Sequence, residues 1–387
     1  MVVVCWIIAR ILSSHSLFVM VYASAMAVGV SWLSGRRPLK VQVTRSSLPS
    51  RIRVGQMVIA ELEIIPSRRL STIVLEENIP GHIGGTVSIP IDVLKPGSEM
   101  RHPYVLTPRL RGVYNVGPTV ATWSDPFGLT IHRQVVADPV ELIVHPSTER
   151  VHDRVLSRMW EDPPIRPPRS KPWPVGFEFY GMREYVPGDD IRRVVWSTLA
   201  KTGKVMVRES EQGITDRILI VIDADREWHS PGEPSATLET AVRVAASLAV
   251  RHLEDGFSVT LLTNEGRLVQ GARGKLAHLG ILDELAKLGL SDKPIKASEA
   301  LFIEELRGRP HTLFLSAHLT PDDARRLKLA MDTGASVVVA NLLWEESDPV
   351  SLSRAASLGC QVIQVPTDVS LESVFSLHAG IGTSRWR

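Results

Sequence analysis

From Arg217 onward the sequence alternates between short apolar runs and amphipathic stretches, and this alternation restricts the fold more than any other feature. Residues 218–222 form a continuous apolar run, as expected for a strand that is buried on both faces. The pattern predicts further strands at 258–263, 312–316, 336–343 and 361–365, and helices at 236–254, 275–288, 298–307, 321–333 and 349–358. Such alternation predicts a mostly parallel sheet with helices on both faces, in which ligands bind at the C-terminal ends of the strands.

Residues 39–146 show a different pattern, with short alternating runs separated by Pro and Gly. The runs lie at 40–44, 57–65, 72–76, 104–107, 119–123 and 140–144. Several short strands with turn signals and no helical period predict a β-sandwich, and about 100 residues suffice for one such domain.

A proline-rich connector follows at 147–175. Its prolines are Pro163, Pro164, Pro167, Pro168, Pro172 and Pro174. This spacing predicts a stiff, partly polyproline linker between the β-sandwich and the later α/β region.

The N-terminal 35 residues are apolar, and Arg10 is their single formally charged side chain. Residues 11–33 are uncharged, and roughly 20 apolar residues span a bilayer. The basic residues that follow are Arg36, Arg37, Lys40 and Arg45, and such a flank faces the cytoplasm. We therefore expect a transmembrane segment over 1–35, with one helix near 14–34, and location at the cell membrane with the globular domains facing the cytoplasm.

Two other interpretations of this segment stay open. In the first, the residues around Arg10 form a short first span before the helix. In the second, the segment is a cleaved signal peptide with small residues at Ala23, Ser24 and Ala25, although it lacks a basic N-terminal region and stays apolar to Leu33.

Composition excludes two classes of protein. The chain has 44 Lys and Arg against 42 Asp and Glu, so its formal charge is +2, and binding nucleic acid by bulk charge needs a basic excess. The two cysteines, Cys5 and Cys360, are too few for a disulfide scaffold.

An acidic loop follows the first strand of the α/β region. Asp223, Asp225, Glu227 and His229 alternate along it, so in an extended chain they would share one side. Carboxylates with one imidazole can hold Mg²⁺, Mn²⁺ or Ca²⁺. The alternative interpretation is a solvated loop that caps the following turn.

Residues 176–216 combine aromatic side chains with nearly balanced charges. Basic residues beside aromatics can bind single-stranded nucleic acid, but here the acids match the bases. The composition favours a packed element with internal ion pairs or a docking surface for a protein partner. A turn at 187–190 predicts a short helix at 190–198 with an Asp cap.

The usual marks of catalysis are absent from the sequence. It contains no GxGxxG or GxxxxGK[ST] phosphate loop, no GxSxG nucleophile elbow and no HExxH zinc motif. We therefore expect no enzymatic activity and no catalytic residues.

The stretch 176–209 resembles the signature of the bacterial family called domain of unknown function 58 (DUF58), roughly G-x-E-F-x-G-x-R-x-Y-x-P-G-D-D-x-R-x-I-x-W. The matching residues are Gly176, Glu178, Phe179, Gly181, Arg183, Tyr185, Pro187, Gly188, Asp189, Asp190, Arg192 and Trp196. Residues 111–118 and 125–129 look like the family's β-domain segment. The resemblance marks the signature residues as a candidate partner surface.

The resemblance also implies a von Willebrand factor A-like (Rossmann-type) α/β domain over 217–387 and a MoxR-type AAA+ ATPase as partner. In that fold a D-x-S-x-S motif after the first strand binds a divalent metal. Asp223 matches its first Asp, whereas Asp225 and Glu227 replace the two serines. Ala317 and His318 stand where a later metal-site Asp is common, and Val195 replaces an Asp of the signature. The resemblance thus implies a degenerate site for Mg²⁺ or another divalent cation.

Together these features predict a membrane-anchored, non-enzymatic scaffold that partners a MoxR-type ATPase in protein-complex assembly or envelope maintenance. Two alternatives stay open. One is a metal-dependent enzyme that uses Asp223, Asp225, Glu227 and His229, and the other is an envelope-facing adhesion module.

Overall fold

The computed structural model describes residues 6–7, 10, 15–35, 38–125, 127–151, 179–186, 194–210, 217–274, 276–307, 309–344, 349–367 and 369–378. The chain divides into two compact units. The first comprises Met1–Ser147 with Leu285–Leu288, and the second comprises Thr148–Glu284 with Gly289–Arg387. Most of the predicted proline-rich linker, 152–175, lies outside the described residues.

The first unit begins with helix α1, His15–Gly35. Within the described residues, no helix is both long and apolar enough to cross a bilayer, so the predicted transmembrane helix near 14–34 is wrong. The predicted run counted residues 11–14, which lie outside the described residues, and α1 itself carries serines at positions 16, 24, 31 and 34. The first span of the alternative hairpin falls mostly outside the described residues. Cellular location is untested and stays a prediction.

Polar contacts of Ser31 attach α1 to the rest of the first unit. The Ser31 side chain is 2% exposed, and its hydroxyl donates to Asp125 Oδ2 at 2.8 Å. Asp125 also accepts from the backbone N–H of Phe127 at 2.8 Å. A hydroxyl buried against a carboxylate keeps its hydrogen bond, which attaches the last turns of α1 to the loop after the eighth strand.

The rest of the first unit is built from short, mostly antiparallel strands. They are β1 Val41–Ser46, β2 Arg51–Arg53, β3 Val58–Pro66, β4 Leu70–Glu77, β5 Val87–Leu94, β6 Met100–Leu106, β7 Gly112–Val116, β8 Thr119–Ser124, β9 Ile131–Ala137 and β10 Val140–His145. Their sheets have the orders β1-β3-β6, β2-β10-β7 and β5-β4-β8-β9, and β2 pairs with β10 in parallel. Alternating residues such as Leu62, Ile64 and Leu75 fill a common core.

A buried ion pair lies at one end of this core. Arg45 Nε lies 2.7 Å from Glu77 Oε1, and the two side chains are 6% and 0% exposed. Arg45 also donates to the Asp138 carbonyl at 2.7 Å and to Thr119 Oγ1 at 3.1 Å. The charge of Glu77 is matched by the Arg45 cation and by a hydrogen bond from the Thr119 hydroxyl, as burial of a carboxylate requires.

The second unit contains a two-stranded sheet and a six-stranded sheet. In the two-stranded sheet, β11 Phe179–Glu184 pairs antiparallel with β12 Met206–Ser210. The large sheet has strands β13 Arg217–Ile222, β14 Ser258–Thr263, β15 Gly266–Ala272, β16 His311–Ser316, β17 Ser336–Leu343 and β18 Gln361–Pro366. Its helices are α3 Ala236–Glu254, α4 Ala277–Lys287, α5 Glu299–Leu306, α6 Pro321–Asp332, α7 Pro349–Ser357 and α8 Leu371–His378, with α2 Trp196–Thr202 before the sheet.

The large sheet has the order β15-β14-β13-β16-β17-β18. All its pairings are parallel except that of the edge strand β15 with β14. The mostly parallel sheet predicted from the alternation is therefore confirmed, whereas β15 was missed because it returns through a tight turn at residues 264–265. The chain as a whole is a mixed α/β protein with several sheets.

Glycine ends some of the predicted helices and not others. Gly334 and Gly359 follow α6 and α7 with φ of +86° and +78°, the left-handed conformation that favours glycine. Gly289 follows α4 without a positive φ. The helix predicted at 190–198 begins instead at Trp196, and its N-cap is Val195, which makes no side-chain cap. The predicted Asp cap lies outside the described residues.

Candidate functional site

The candidate site lies at the C-terminal edge of the large sheet. Asp223 directly follows β13. Along the chain, β14 and β15 are added on one side of β13, and β16, β17 and β18 are then added on its other side. In doubly wound sheets this position is the switch point where ligands bind. We call Asp223, Asn264 and Ser316 the Asp223 cluster; they stand at or just after the C-terminal ends of β13, β14 and β16.

The Asp223 carboxylate is surrounded by hydrogen-bond donors. Its Oδ1 accepts from Asn264 Nδ2 at 3.1 Å and from the backbone N–H of Asp225 at 3.2 Å. Its Oδ2 accepts from Ser316 Oγ at 3.1 Å. The three side chains of the cluster are at most 2% exposed. A buried polar cluster of this kind holds the ends of three strands together.

The orientation of each partner follows from the network. Asn264 Oδ1 accepts from the backbone N–H of Ala224 at 2.7 Å, so its Nδ2 is the atom that faces Asp223. Ser316 Oγ also lies 2.6 Å from the His318 carbonyl. Since a serine has one hydroxyl proton, Asp223 and the His318 carbonyl compete for it.

Burial raises the pKa of Asp223 to about 6. The hydrogen bond from Asn264 opposes this effect, and the nearby carboxylate of Asp323 adds to it. Burial dominates because a charged carboxylate loses more hydration than a neutral carboxylic acid. Asp223 is therefore a carboxyl group that changes its protonation close to neutral pH.

His229 supports the same loop as a neutral side chain. Its Nε2 lies 2.7 Å from the Asp223 carbonyl, and its Nδ1 lies 2.7 Å from Thr237 Oγ1. A carbonyl can only accept, so Nε2 carries the proton and Nδ1 accepts from the threonine hydroxyl. Burial lowers the pKa of His229, in keeping with this neutral form.

The other two acids of the loop have different surroundings. Asp225 is 8% exposed, and its Oδ1 accepts from the backbone N–H of Glu227 at 3.1 Å, which caps the short 3-10 helix Arg226–Trp228. Glu227 is exposed on that helix. The loop is thus not extended, and Glu227 is separated from Asp223 by the turn that Asp225 caps. Asp225 thus caps the turn as the alternative interpretation expected, but the loop is not solvated at Asp223 and Asp225, which are both buried.

An aromatic pair stands beside the cluster. The rings of Trp228 and His318 stack with centroids 4.1 Å apart and an interplanar angle of 15°. His318 follows Ser316 at the end of β16, and Trp228 ends the 3-10 helix after Asp225. The pair joins the two loops that carry the cluster.

The predictions from sequence missed Asn264 and Ser316. Each stands at the C-terminal end of a predicted strand, as Asp223 does, so a signal for them was present. A polar residue at that point on neighbouring parallel strands is the pattern that would have found them.

The residues do not fit a divalent cation. Asp223 is approached by donor groups, and the described part of the chain contains no group of three or more His, Cys, Asp or Glu side chains that could hold a metal ion. Cation binding by Asp223, Asp225 and Glu227 is implied by the resemblance and is untested. From the geometry of the site we expect these residues not to bind a divalent cation.

Calorimetric titration of the full chain with Mg²⁺, Mn²⁺ and Ca²⁺ tests this expectation. We expect no binding heat that depends on Asp223, because the acids needed to share the cation charge are not grouped around it. The Asp223→Asn variant is the matched control. A heat of binding that the variant abolishes would overturn the expectation.

The signature segment is described in part. Gly181, Arg183, Tyr185 and Trp196 lie in described residues, and the backbone of Phe179 begins β11. The backbone N–H of Tyr185 donates to the Val205 carbonyl at 2.9 Å, which extends the two-stranded sheet of β11 and β12. Arg183 is exposed, and Trp196 is 61% exposed. The signature residues outside the described residues are Gly176, Glu178, Pro187, Gly188, Asp189, Asp190 and Arg192.

The family comparison agrees with the signature. The model of the family described as "Protein of unknown function DUF58" matches residues 181–355, which include the last four residues of β11, the Asp223 cluster and most of the large sheet. The DUF58 resemblance is thereby confirmed. A search of curated proteins finds no match.

Solved structures resemble a smaller part of the chain. The CARDB domain of a Pyrococcus furiosus protein is 16% identical, with 28% of this chain and 87% of that chain covered and a TM-score of 0.20. A β-glucosidase from Listeria innocua is 16% identical, with 27% and 16% covered and a TM-score of 0.17. The sporulation control protein Spo0M from Bacillus subtilis is 13% identical, with 27% and 49% covered and a TM-score of 0.17. At these scores the likenesses carry no functional argument.

Proposed function

From the premise that residues 181–355 belong to the DUF58 family, we propose that this protein is a non-enzymatic scaffold whose second unit binds a partner protein. The partner we propose is a MoxR-type AAA+ ATPase, and the process is assembly of protein complexes. The DUF58 resemblance is the source of this choice of partner.

The sheet supports a von Willebrand factor A-like assignment of the second unit. If the six strands are numbered along the chain, their spatial order in the sheet is 3-2-1-4-5-6. The third strand, β15, is the antiparallel strand at the edge. Asp223 follows the first strand, the place of the first acid in that fold's motif. Its carboxylate is engaged by Asn264 and Ser316, which favours a structural role for this position.

One observation carries the proposal, namely the exposure of Trp196. Its indole is 61% exposed at the start of α2, in the part of the signature that the structure describes. Met182, Val186 and Val205 on the same segment are also exposed. Exposed tryptophans beside other apolar side chains are common anchors of protein interfaces, whereas a structural tryptophan is mostly buried.

A pull-down with tagged full-length protein tests the proposal. We expect a MoxR-type ATPase, identified by mass spectrometry, to be recovered in the presence of a non-hydrolysable ATP analogue. We expect Trp196→Ala to reduce its recovery about tenfold or more, since truncating an interface tryptophan costs roughly 2 kcal/mol or more of binding free energy.

Trp32→Ala is the matched control, because Trp32 on α1 is 58% exposed and lies in the other unit. The control variant should recover the ATPase as the wild type does. Absence of the ATPase in all samples would count against the partner, and equal loss in both variants would count against the signature surface.

A further inference from the structure

A charged cleft lies between α5 and α6, separate from the Asp223 cluster. It encloses about 180 Å³ and is lined by Lys296, Glu299, Asp322, Arg325, Arg326 and Leu329. At about 30 Å³ per water molecule, this volume holds roughly six waters, or the end of one acidic side chain. The cleft opens to the surface, and its floor is buried whereas its rim is exposed.

Arg326 forms the floor. Its side chain is 6% exposed, its Nη1 donates to Asp323 Oδ1 at 2.5 Å, and its Nη2 lies 3.9 Å from Glu299 Oε2. Its Nε has no hydrogen-bond partner among the described residues, although the atom is buried. A buried N–H without an acceptor is unfavourable, so the floor lacks one acceptor atom.

The rim exposes more cation than acid. Lys296 and Arg325 are 65% and 77% exposed, whereas Asp322 is 38% exposed and both cations pair with it. Glu299, which is 42% exposed, already faces Arg326. An incoming group therefore meets two cations that share one carboxylate, and an additional anion gives the second cation a partner of its own.

We propose that this cleft binds a side-chain carboxylate from an acidic segment of the partner protein. The carboxylate pairs with Lys296 and Arg325 at the rim, and the Arg326 guanidinium adds positive charge at the floor. A basic segment would meet Lys296 and Arg325 first and be repelled. The inference rests on the proposed function for the identity of the partner, but the charge recognition itself can be tested alone.

The first test measures binding of a fluorescein-labelled poly-glutamate peptide to the full chain by fluorescence anisotropy at low ionic strength. A poly-glutamine peptide of equal length is the control probe. We expect the double variant Lys296→Gln/Arg325→Gln to bind poly-glutamate about five- to tenfold more weakly, since exposed pairs each contribute modestly. Both side chains are exposed, so the variant retains its fold.

The matched control is Arg226→Gln/Arg251→Gln. These arginines are 55% and 45% exposed, belong to the second unit and are ion-paired, so the variant removes the same charge elsewhere. We expect it to bind poly-glutamate as the wild type does. Equal weakening in both variants, or no binding by the wild type, overturns the proposal.

The second test separates this proposal from the proposed function. The cleft variant is used in the ATPase pull-down beside the wild type. Recovery that falls in the cleft variant but not in the arginine control supports both proposals. Equal recovery overturns the cleft as a partner surface and leaves the scaffold proposal standing. Absence of the ATPase throughout overturns the partner, and the peptide titration then decides whether the cleft recognises carboxylates.

Discussion

Replacing Asp223 by Asn is expected to stabilise the second unit at pH 7.5 and to remove part of its pH dependence. The pKa of Asp223 is about 6 in the folded chain against an ordinary value of 3.8. Because the folded value is raised, the protonated form is favoured by folding. The contribution of Asp223 to stability is therefore fully present below pH 3.8 and is lost as pH rises through 6.

The size of the effect follows from the shift. A pKa that rises from 3.8 to about 6 on folding corresponds to a free energy of unfolding about 3 kcal/mol lower for ionised than for protonated Asp223. The introduced asparagine is neutral at every pH, and its amide fits the same contacts. Its oxygen accepts from Asn264 and the Asp225 backbone, and its NH₂ donates to Ser316 Oγ, which is then free to donate to the His318 carbonyl.

Denaturant unfolding between pH 5 and 7.5 measures this prediction, with hydrogen exchange to locate the change in β13, β14 and β16. The advantage of Asp223→Asn over the wild type should grow with pH and approach about 3 kcal/mol above pH 6. Asp223→Ala is the contrasting variant, because it removes the acceptor of one Asn264 N–H and of the Asp225 backbone N–H, at a cost of about 1–3 kcal/mol each, while Ser316 keeps the His318 carbonyl as its acceptor. A constant difference between wild type and Asp223→Asn across this pH range would contradict the prediction.

Replacing Glu77 by Ala is expected to destabilise the first unit by about 3–5 kcal/mol, because it leaves the Arg45 cation buried without its partner. Arg45 and Glu77 are 6% and 0% exposed, and Arg45 Nε lies 2.7 Å from the carboxylate. Hydrogen exchange in β1, β4 and β8 and denaturant unfolding measure the loss.

Glu76→Ala is the matched control for this prediction. Glu76 is the neighbour of Glu77 on β4, faces the other side of the sheet and is half-buried. Its replacement should change the free energy of unfolding by about 0.5 kcal/mol or less. The paired change Arg45→Met/Glu77→Leu should restore much of the stability, since an apolar pair of similar volume replaces a buried ion pair at little cost. Equal effects of Glu77→Ala and Glu76→Ala would contradict the burial argument.

Much of the second unit was predictable because its signals are local. The continuous apolar run at 218–222 identified β13, and the alternation that follows identified four further strands and their parallel arrangement. The edge strand β15 was missed since its residues are half-buried or exposed and lack a continuous apolar run. At the N-terminus, by contrast, the sequence led to a transmembrane helix that the described residues do not contain. The hydropathy count over 11–33 took no account of where the helix begins.

Only the first residue of the site was predicted, although Asn264 and Ser316 also stand at the ends of predicted strands. Asp223 follows from its place after an apolar strand, and the expectation that Asp225, Glu227 and His229 join it assumed an extended chain. The loop instead turns into a 3-10 helix at Arg226–Trp228, and Asp225 caps it. Spacing along the sequence cannot reveal such a turn, since the alternation of side chains holds only while the backbone stays extended.

The sequence alone thus determined the strand and helix alternation, the DUF58 signature and the position of Asp223 at the end of β13, because each depends on neighbouring residues. The tertiary structure decided which groups surround that carboxylate. Asn264 lies 41 positions and Ser316 lies 93 positions from Asp223 along the chain, and the strand order places both beside it. Their contacts and burial set the protonation of Asp223, and both arise from packing across the sheet rather than from any local pattern.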